Sequence, residues 1–177
     1  EDRFRPYVRD ELLGVVSEAR NNFPRIIEAL PERMTYLDLD EPRDDGSLPE
    51  KTGRVILSGG ESLLEPVRTA VTYPVIERLV AKYAGHGGVK IVVQTTGDLL
   101  TERIVADLLD RGIYMISVAG VDDFHVGMEG PDKQRAFQER LSRLFESAGM
   151  VPSGISAPAR KWHEEEGPLY SFFGATP

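Results

Sequence analysis

The segment Ser58-Gly59-Gly60-Glu61-Ser62 sets two glycines directly before a carboxylate, a grouping suited to holding a small cation. Glycine lets a ligand approach the backbone closely, and the free amides that open a following helix add hydrogen-bond donors. A phosphate cradle is the obvious competitor. The segment lacks the spacing and Lys of the nucleotide P-loop, however, and the three-glycine dinucleotide fingerprint. Glu61 would repel a phosphate at close range, whereas a carboxylate beside backbone carbonyls suits the ammonium group of an amino acid. The plainer alternative is a tight strand-to-helix turn, with Glu61 as an exposed first-turn residue favoured by the helix dipole.

Two further segments carry chemistry. Gln94-Thr95-Thr96-Gly97-Asp98 is polar and ends on a glycine, and Ala119-Gly120-Val121-Asp122-Asp123-Phe124-His125 follows an apolar run. Asp122, Asp123 and His125, with Glu129 nearby, bring oxygen and nitrogen ligands close enough to consider a divalent metal. Between Gly120, Gly127 and Gly130 the ordinary reading is turn chemistry and solvated charge, and no metal site is assigned. A substrate-side or acid/base role for His125, with Asp122 and Asp123 as further substrate-side candidates, is the stronger functional expectation. His86 sits in the turn Gly85-His86-Gly87-Gly88 and reads as structural. His163 precedes Glu164-Glu165-Glu166 in what reads as a solvated acidic turn. Trp162, Tyr170, Phe172 and Phe173 read as core or as a docking face.

These segments need elements to position them, and the pattern supplies strands alternating with helices. Val55 to Leu57 reads as a buried strand between Gly53 and Gly59. A helical stretch follows from about Glu65 to Ala84, broken before Pro74. Val89 to Val93 gives a second strand. Thr101 is placed to cap a helix whose face is Ile104, Val105, Leu108 and Leu109, closed by Gly112. Ile113 to Val118 gives a third strand. Pro131 opens a helix carrying Phe137, Leu141, Leu144, Phe145 and Ala148, and Gly149 closes it. Upstream, Leu12, Leu13, Val15, Val16 and Ala19 have helical spacing, which Pro24 interrupts before Ile26, Ile27 and Leu30 resume it. Asp38 to Glu50 reads as an acidic surface loop, and the tail from Leu169 to Phe173 as a last strand at a sheet edge.

This alternation predicts an α/β fold with mostly parallel strands and helices outside. A closed eight-unit barrel needs about 250 residues, so three or four units in 177 residues fit an incomplete, TIM-barrel-like partial (β/α) barrel. The organisation is a single domain, with residues 1–52 as a helix and loop region, 53–150 as the βα core and 151–177 as a tail. In parallel sheets ligands bind beyond the carboxyl ends of the strands, where the three polar segments fall.

Composition narrows the choice of function. With 21 Lys+Arg against 29 Asp+Glu, the net charge is −8, which is not the footprint of a nucleic-acid binder. No apolar run reaches the roughly 18–20 residues of a membrane span, and a cytoplasmic protein is expected. There is no cysteine, so the residues present form no disulfide, thiolate zinc site or iron–sulfur cluster.

In their order along the chain, three segments resemble the radical S-adenosylmethionine superfamily. Ile56-Leu57-Ser58-Gly59-Gly60-Glu61-Ser62-Leu63-Leu64 is similar to that family's Gly-Gly-Glu strand end. Val93-Gln94-Thr95-Thr96-Gly97-Asp98-Leu99-Leu100-Thr101 is similar to its next strand end, usually Thr-Asn-Gly. Gly112-Ile113-Tyr114-Met115-Ile116-Ser117-Val118-Ala119-Gly120 is similar to its fourth strand, and the likeness spans roughly Gly53 to Met150. The resemblance implies a cofactor site at Ser58, Gly59, Gly60 and Glu61, which would hold the amino group of S-adenosylmethionine. It places Thr95, Thr96, Gly97 and Ser117 along the methionyl and ribosyl parts. The implied chemistry is reductive cleavage of the cofactor and radical hydrogen abstraction from a small-molecule or peptide substrate, with a flavodoxin or ferredoxin as electron donor.

Ser62 departs from the family where Pro is common, and Thr96 where Asn is common. The family's Cys-x3-Cys-x2-Cys loop, which anchors the [4Fe–4S] cluster, is absent. We expect that segment to lie upstream of Glu1. The alternatives are a relative that has lost the chemistry, or shared barrel grammar alone. From another class, the competing reading is a non-catalytic α/β module binding a small zwitterionic or nucleoside ligand.

Overall fold

A computed structural model of the chain describes residues 8–119, 129–153 and 166–173. The first helix, α1 (Arg9–Ala29), begins where Val8 N donates to Glu11 Oε2, and it runs on through Pro24. The expected interruption does not occur. Proline removes one helical hydrogen bond, but Phe23, Ile27 and Leu30 on either side of it pack against the core. That shared apolar face outweighs the single lost bond. The residues expected on the buried face divide: Val16 and Ile27 are buried, whereas Leu13, Val15 and Ile26 are about half exposed.

Strands β1 (Thr35–Leu37) and β2 (Glu50–Thr52) pair antiparallel. The acidic loop between them is therefore the tip of a hairpin. Asp38, at its base, is buried beside Lys51 Nζ at 3.3 Å.

The core is a five-stranded sheet of β3 (Arg54–Leu57), β4 (Lys90–Thr95), β5 (Met115–Ala119), β6 (Val151–Pro152) and β7 (Leu169–Phe173). All its pairings are parallel, in the order β3-β4-β5-β7-β6. The tail strand is therefore internal, and the two-residue β6 is the edge. Pro152 suits that position, because proline cannot donate to a second neighbour. Strands of a sequential barrel would add in chain order, whereas here β7 comes between β5 and β6. What holds β7 inward is aromatic: Tyr170 stacks on Phe145 with ring centroids 4.9 Å apart, and Phe172 tilts against the same ring.

Between β3 and β4 runs a continuous helical stretch of α2 (Glu65–Val67), a π-helical turn (Arg68–Thr72) and α3 (Tyr73–Tyr83). Pro74 does not break it. Proline has no N–H for the usual bond and its ring crowds the preceding turn; widening that turn by one residue removes the conflict, and Tyr73 N donates to Arg68 O.

Helix α4 (Glu102–Asp110) begins as expected, with Thr101 Oγ1 accepting from Ile104 N. The last helix is α5 (Pro131–Ser147). Its Leu141 and Phe145 join Leu79, Tyr83, Val105 and Leu108 against Ile91, Val93, Ile116 and Val118, forming the main core on one face of the sheet. The other face carries a separate small cluster of Val92, Tyr114, Met115 and Leu169. No helix among the described residues is long and apolar enough to cross a membrane.

Candidate functional site at the strand carboxyl ends

Gly59 and Gly60 follow β3 with φ of +100° and +61°. L-residues rarely adopt such backbone, so the turn demands glycine. A Cβ built at either position meets no atom within 4 Å. The glycines therefore serve the turn's conformation, and the space beside them is open.

The turn delivers Glu61 to the end of β4. Its Oε1 accepts from Leu63 N at 2.8 Å and from Thr95 Oγ1 at 2.8 Å. Its Oε2 accepts from Thr96 N at 2.8 Å and from Thr96 Oγ1 at 2.7 Å. An ionised carboxylate offers about four acceptor positions, and the chain's own donors engage four. Two of these are backbone amides, which fix the carboxylate. The other two are hydroxyls, which can turn away and yield their places to an incoming cation.

The same junction is tied from below. Ser62 Oγ donates to Gln94 O at 2.9 Å, Thr72 Oγ1 donates to Ser62 O at 2.8 Å, and Arg68 Nη1 donates to Leu63 O at 3.0 Å. The π-helical turn thus faces the rim with two side chains that hold the loop in place. Ser62, where proline is common in the resembling family, earns its position through a hydroxyl that proline lacks.

Gly97 has a different role. Its amide donates to Thr95 Oγ1, and with φ of +88° a Cβ there would lie 2.8 Å from Leu141 Cδ1. It is a packing glycine turned toward the core. Ser117 is buried on β5, in register with Gln94. It lies one strand across from the Glu61 group, one residue below the level of Thr95.

The rim therefore joins Ser58, Gly59, Gly60, Glu61, Thr95 and Thr96, with Ser117 deeper on the sheet. Asp122, Asp123 and His125 lie outside the described residues, as do Trp162 and His163. Glu129 pairs with Lys133 at 2.8 Å, and no group of side chains suited to a metal ion occurs among the described residues. A surface cavity of about 420 Å³, lined by Tyr36, Asp38, Asp40, Thr52, Arg54 and Lys90, lies at the opposite, amino ends of β3 and β4. Sequence reasoning missed the tethers from Thr72 and Arg68, because residues on a distant helical turn give no local pattern.

No known protein family, characterised protein or solved structure matches the chain.

Proposed function

We propose that the chain is the cofactor-facing α/β part of a radical S-adenosylmethionine enzyme, its β3-β4-β5 run, which adds in chain order, belonging to a partial barrel, with the Glu61 rim as the seat of the cofactor's amino group. The observation that carries this reading is a carboxylate fixed by Leu63 N and Thr96 N, beside two glycines with open space around them. The ordered resemblance of three strand ends adds to it. Gly59 and Gly60 would admit the methionyl group against the backbone. The hydroxyls of Thr95 and Thr96 would rotate from Glu61 to let an ammonium in, keeping charge opposed to charge in a partly buried place.

When bound to a cluster, S-adenosylmethionine supplies a 5′-deoxyadenosyl radical. The residues present do not fit the cluster itself: the sequence holds no thiolate donor. Asp122, Asp123 and His125 remain the proposed substrate-side groups. The substrate, a flavodoxin or ferredoxin donor and a cytoplasmic setting belong to the same proposal. The cysteine-free composition favours a second reading, a non-catalytic module holding a zwitterionic nucleoside ligand at the same rim.

Titration calorimetry with S-adenosylhomocysteine tests the shared claim. The chain is expected to bind it at millimolar concentration or better, and Glu61→Ala to weaken binding about tenfold, as for a charged hydrogen bond. Equal affinity in the variant removes Glu61 from the site.

A further inference from the structure

Arg68 and Thr72 open and close the π-helical turn, and both reach the peptide groups that follow Glu61. Thr72 is buried, and its hydroxyl donates to Ser62 O at 2.8 Å. That carbonyl belongs to the same peptide unit as Leu63 N, the amide that donates to Glu61 Oε1 at 2.8 Å. A peptide unit is planar, so holding its oxygen sets the direction of its N–H. A hydrogen bond accepted at the carbonyl also polarises the unit and strengthens its N–H as a donor. Arg68 Nη1 holds the next carbonyl, Leu63 O, at 3.0 Å, and its guanidinium is itself placed against the Tyr73 ring, 5.9 Å from the centroid.

The four donors on Glu61 are not equivalent. The hydroxyls of Thr95 and Thr96 give way when an amine enters, which leaves Leu63 N and Thr96 N to hold the carboxylate. Thr96 N directly follows β4 and is fixed by the sheet. Leu63 N lies in a turn: its buried side chain anchors the residue, and the bond from Thr72 sets the angle of the amide.

We propose that Thr72 is a positioning residue of the amine seat, acting on Glu61 through the Ser62–Leu63 peptide, with Arg68 in support at Leu63 O. The inference rests on the reading of Glu61 as the seat of an amino group. It assigns ligand affinity to a helical residue that acts through the backbone and touches no ligand.

Thr72→Val keeps the size of the side chain and removes its donor. Two measurements on the full chain test its role. In hydrogen exchange without ligand, the Leu63 amide is expected to exchange about three- to tenfold faster in Thr72→Val, beyond any change at Ile91 and Val93, and to recover in Thr72→Ser. No change at Leu63, or an equal change at all three amides, overturns the proposal. In calorimetry, Thr72→Val is expected to weaken S-adenosylhomocysteine about three- to tenfold, with recovery in Thr72→Ser. In a Glu61→Ala background it is expected to have no further effect. The same loss in that background overturns action through Glu61. Normal affinity in Thr72→Val overturns the positioning role and leaves the amine seat standing. A wild-type chain that does not bind S-adenosylhomocysteine at millimolar concentration overturns the seat and the role built on it.

Discussion

With Leu63, Thr95 and Thr96 all donating to it, the Glu61 carboxylate joins the turn after β3 to the end of β4. Removing it strands amide and hydroxyl donors in a partly buried place. Glu61→Ala is therefore expected to lower the unfolding free energy by about 1–3 kcal/mol, read as a lower urea midpoint with unchanged slope. An unchanged midpoint would mean that water replaces the carboxylate freely. The glycines give a paired contrast. Gly97→Ala adds both unfavourable backbone and a clash with Leu141, and is expected to cost about 2–4 kcal/mol. Gly59→Ala meets open space, and only the backbone term of about 1–2 kcal/mol applies. Equal losses at the two positions would contradict the assignment of Gly97 to packing and Gly59 to an open turn. At this scale the sequence was informative about residue types: Gly59, Gly60, Glu61 and Thr96 do meet at one rim. It could not show that Glu61 is already engaged by four donors, because three of them come from Thr95 and Thr96, on the next strand of the sheet.

Among the elements, α1 and α3 are joined through Lys82, whose Nζ donates to the carbonyls of Ile27 and Leu30 at 2.7 Å and of Glu28 at 3.2 Å. A cation on the last carbonyls of a helix adds to their hydrogen bonding, Ile27 O also accepting from Leu30 N, and opposes the helix dipole. Lys82→Met is expected to cost about 1–2 kcal/mol and to speed hydrogen exchange in the last turn of α1; uniform protection would contradict it. Helix α4 was legible nearly to the residue, because its cap, face and terminal glycine are all local signals. Pro24 and Pro74 misled for the opposite reason. A local rule marks proline as a breaker, whereas tertiary packing keeps α1 continuous through the one and a π-helical turn absorbs the other. The β1–β2 hairpin escaped notice because its strands are only three residues each and its loop is long.

Over the whole molecule, the parallel α/β sheet was readable from alternation, but the place of β7 was not. Strand order depends on which edge a late segment reaches, and nothing in the local pattern of Leu169 to Phe173 records its pairing with β5. The aromatic packing that holds β7 also makes stability sensitive to alkali. Burial raises the phenols of Tyr73, Tyr83 and Tyr170 above their ordinary value, with Asp107 adding to the first and the hydrogen bond to Glu146 adding to the last. Folded values above the unfolded one leave stability intact below about pH 10, and it drains as pH rises through the folded values. The urea midpoint is expected to hold from pH 8 to about 10 and fall beyond it, less steeply in Tyr170→Phe; a level midpoint to pH 11 would contradict this. The most direct test of the rim is an amide nuclear magnetic resonance titration of the whole chain with S-adenosylmethionine. The account predicts shifts at Gly59, Gly60, Thr95 and Thr96 that saturate together, and that are lost in Glu61→Ala. Shifts that are absent at millimolar ligand, or that fall instead around Arg54 and Lys90 at the other end of the strands, would contradict it.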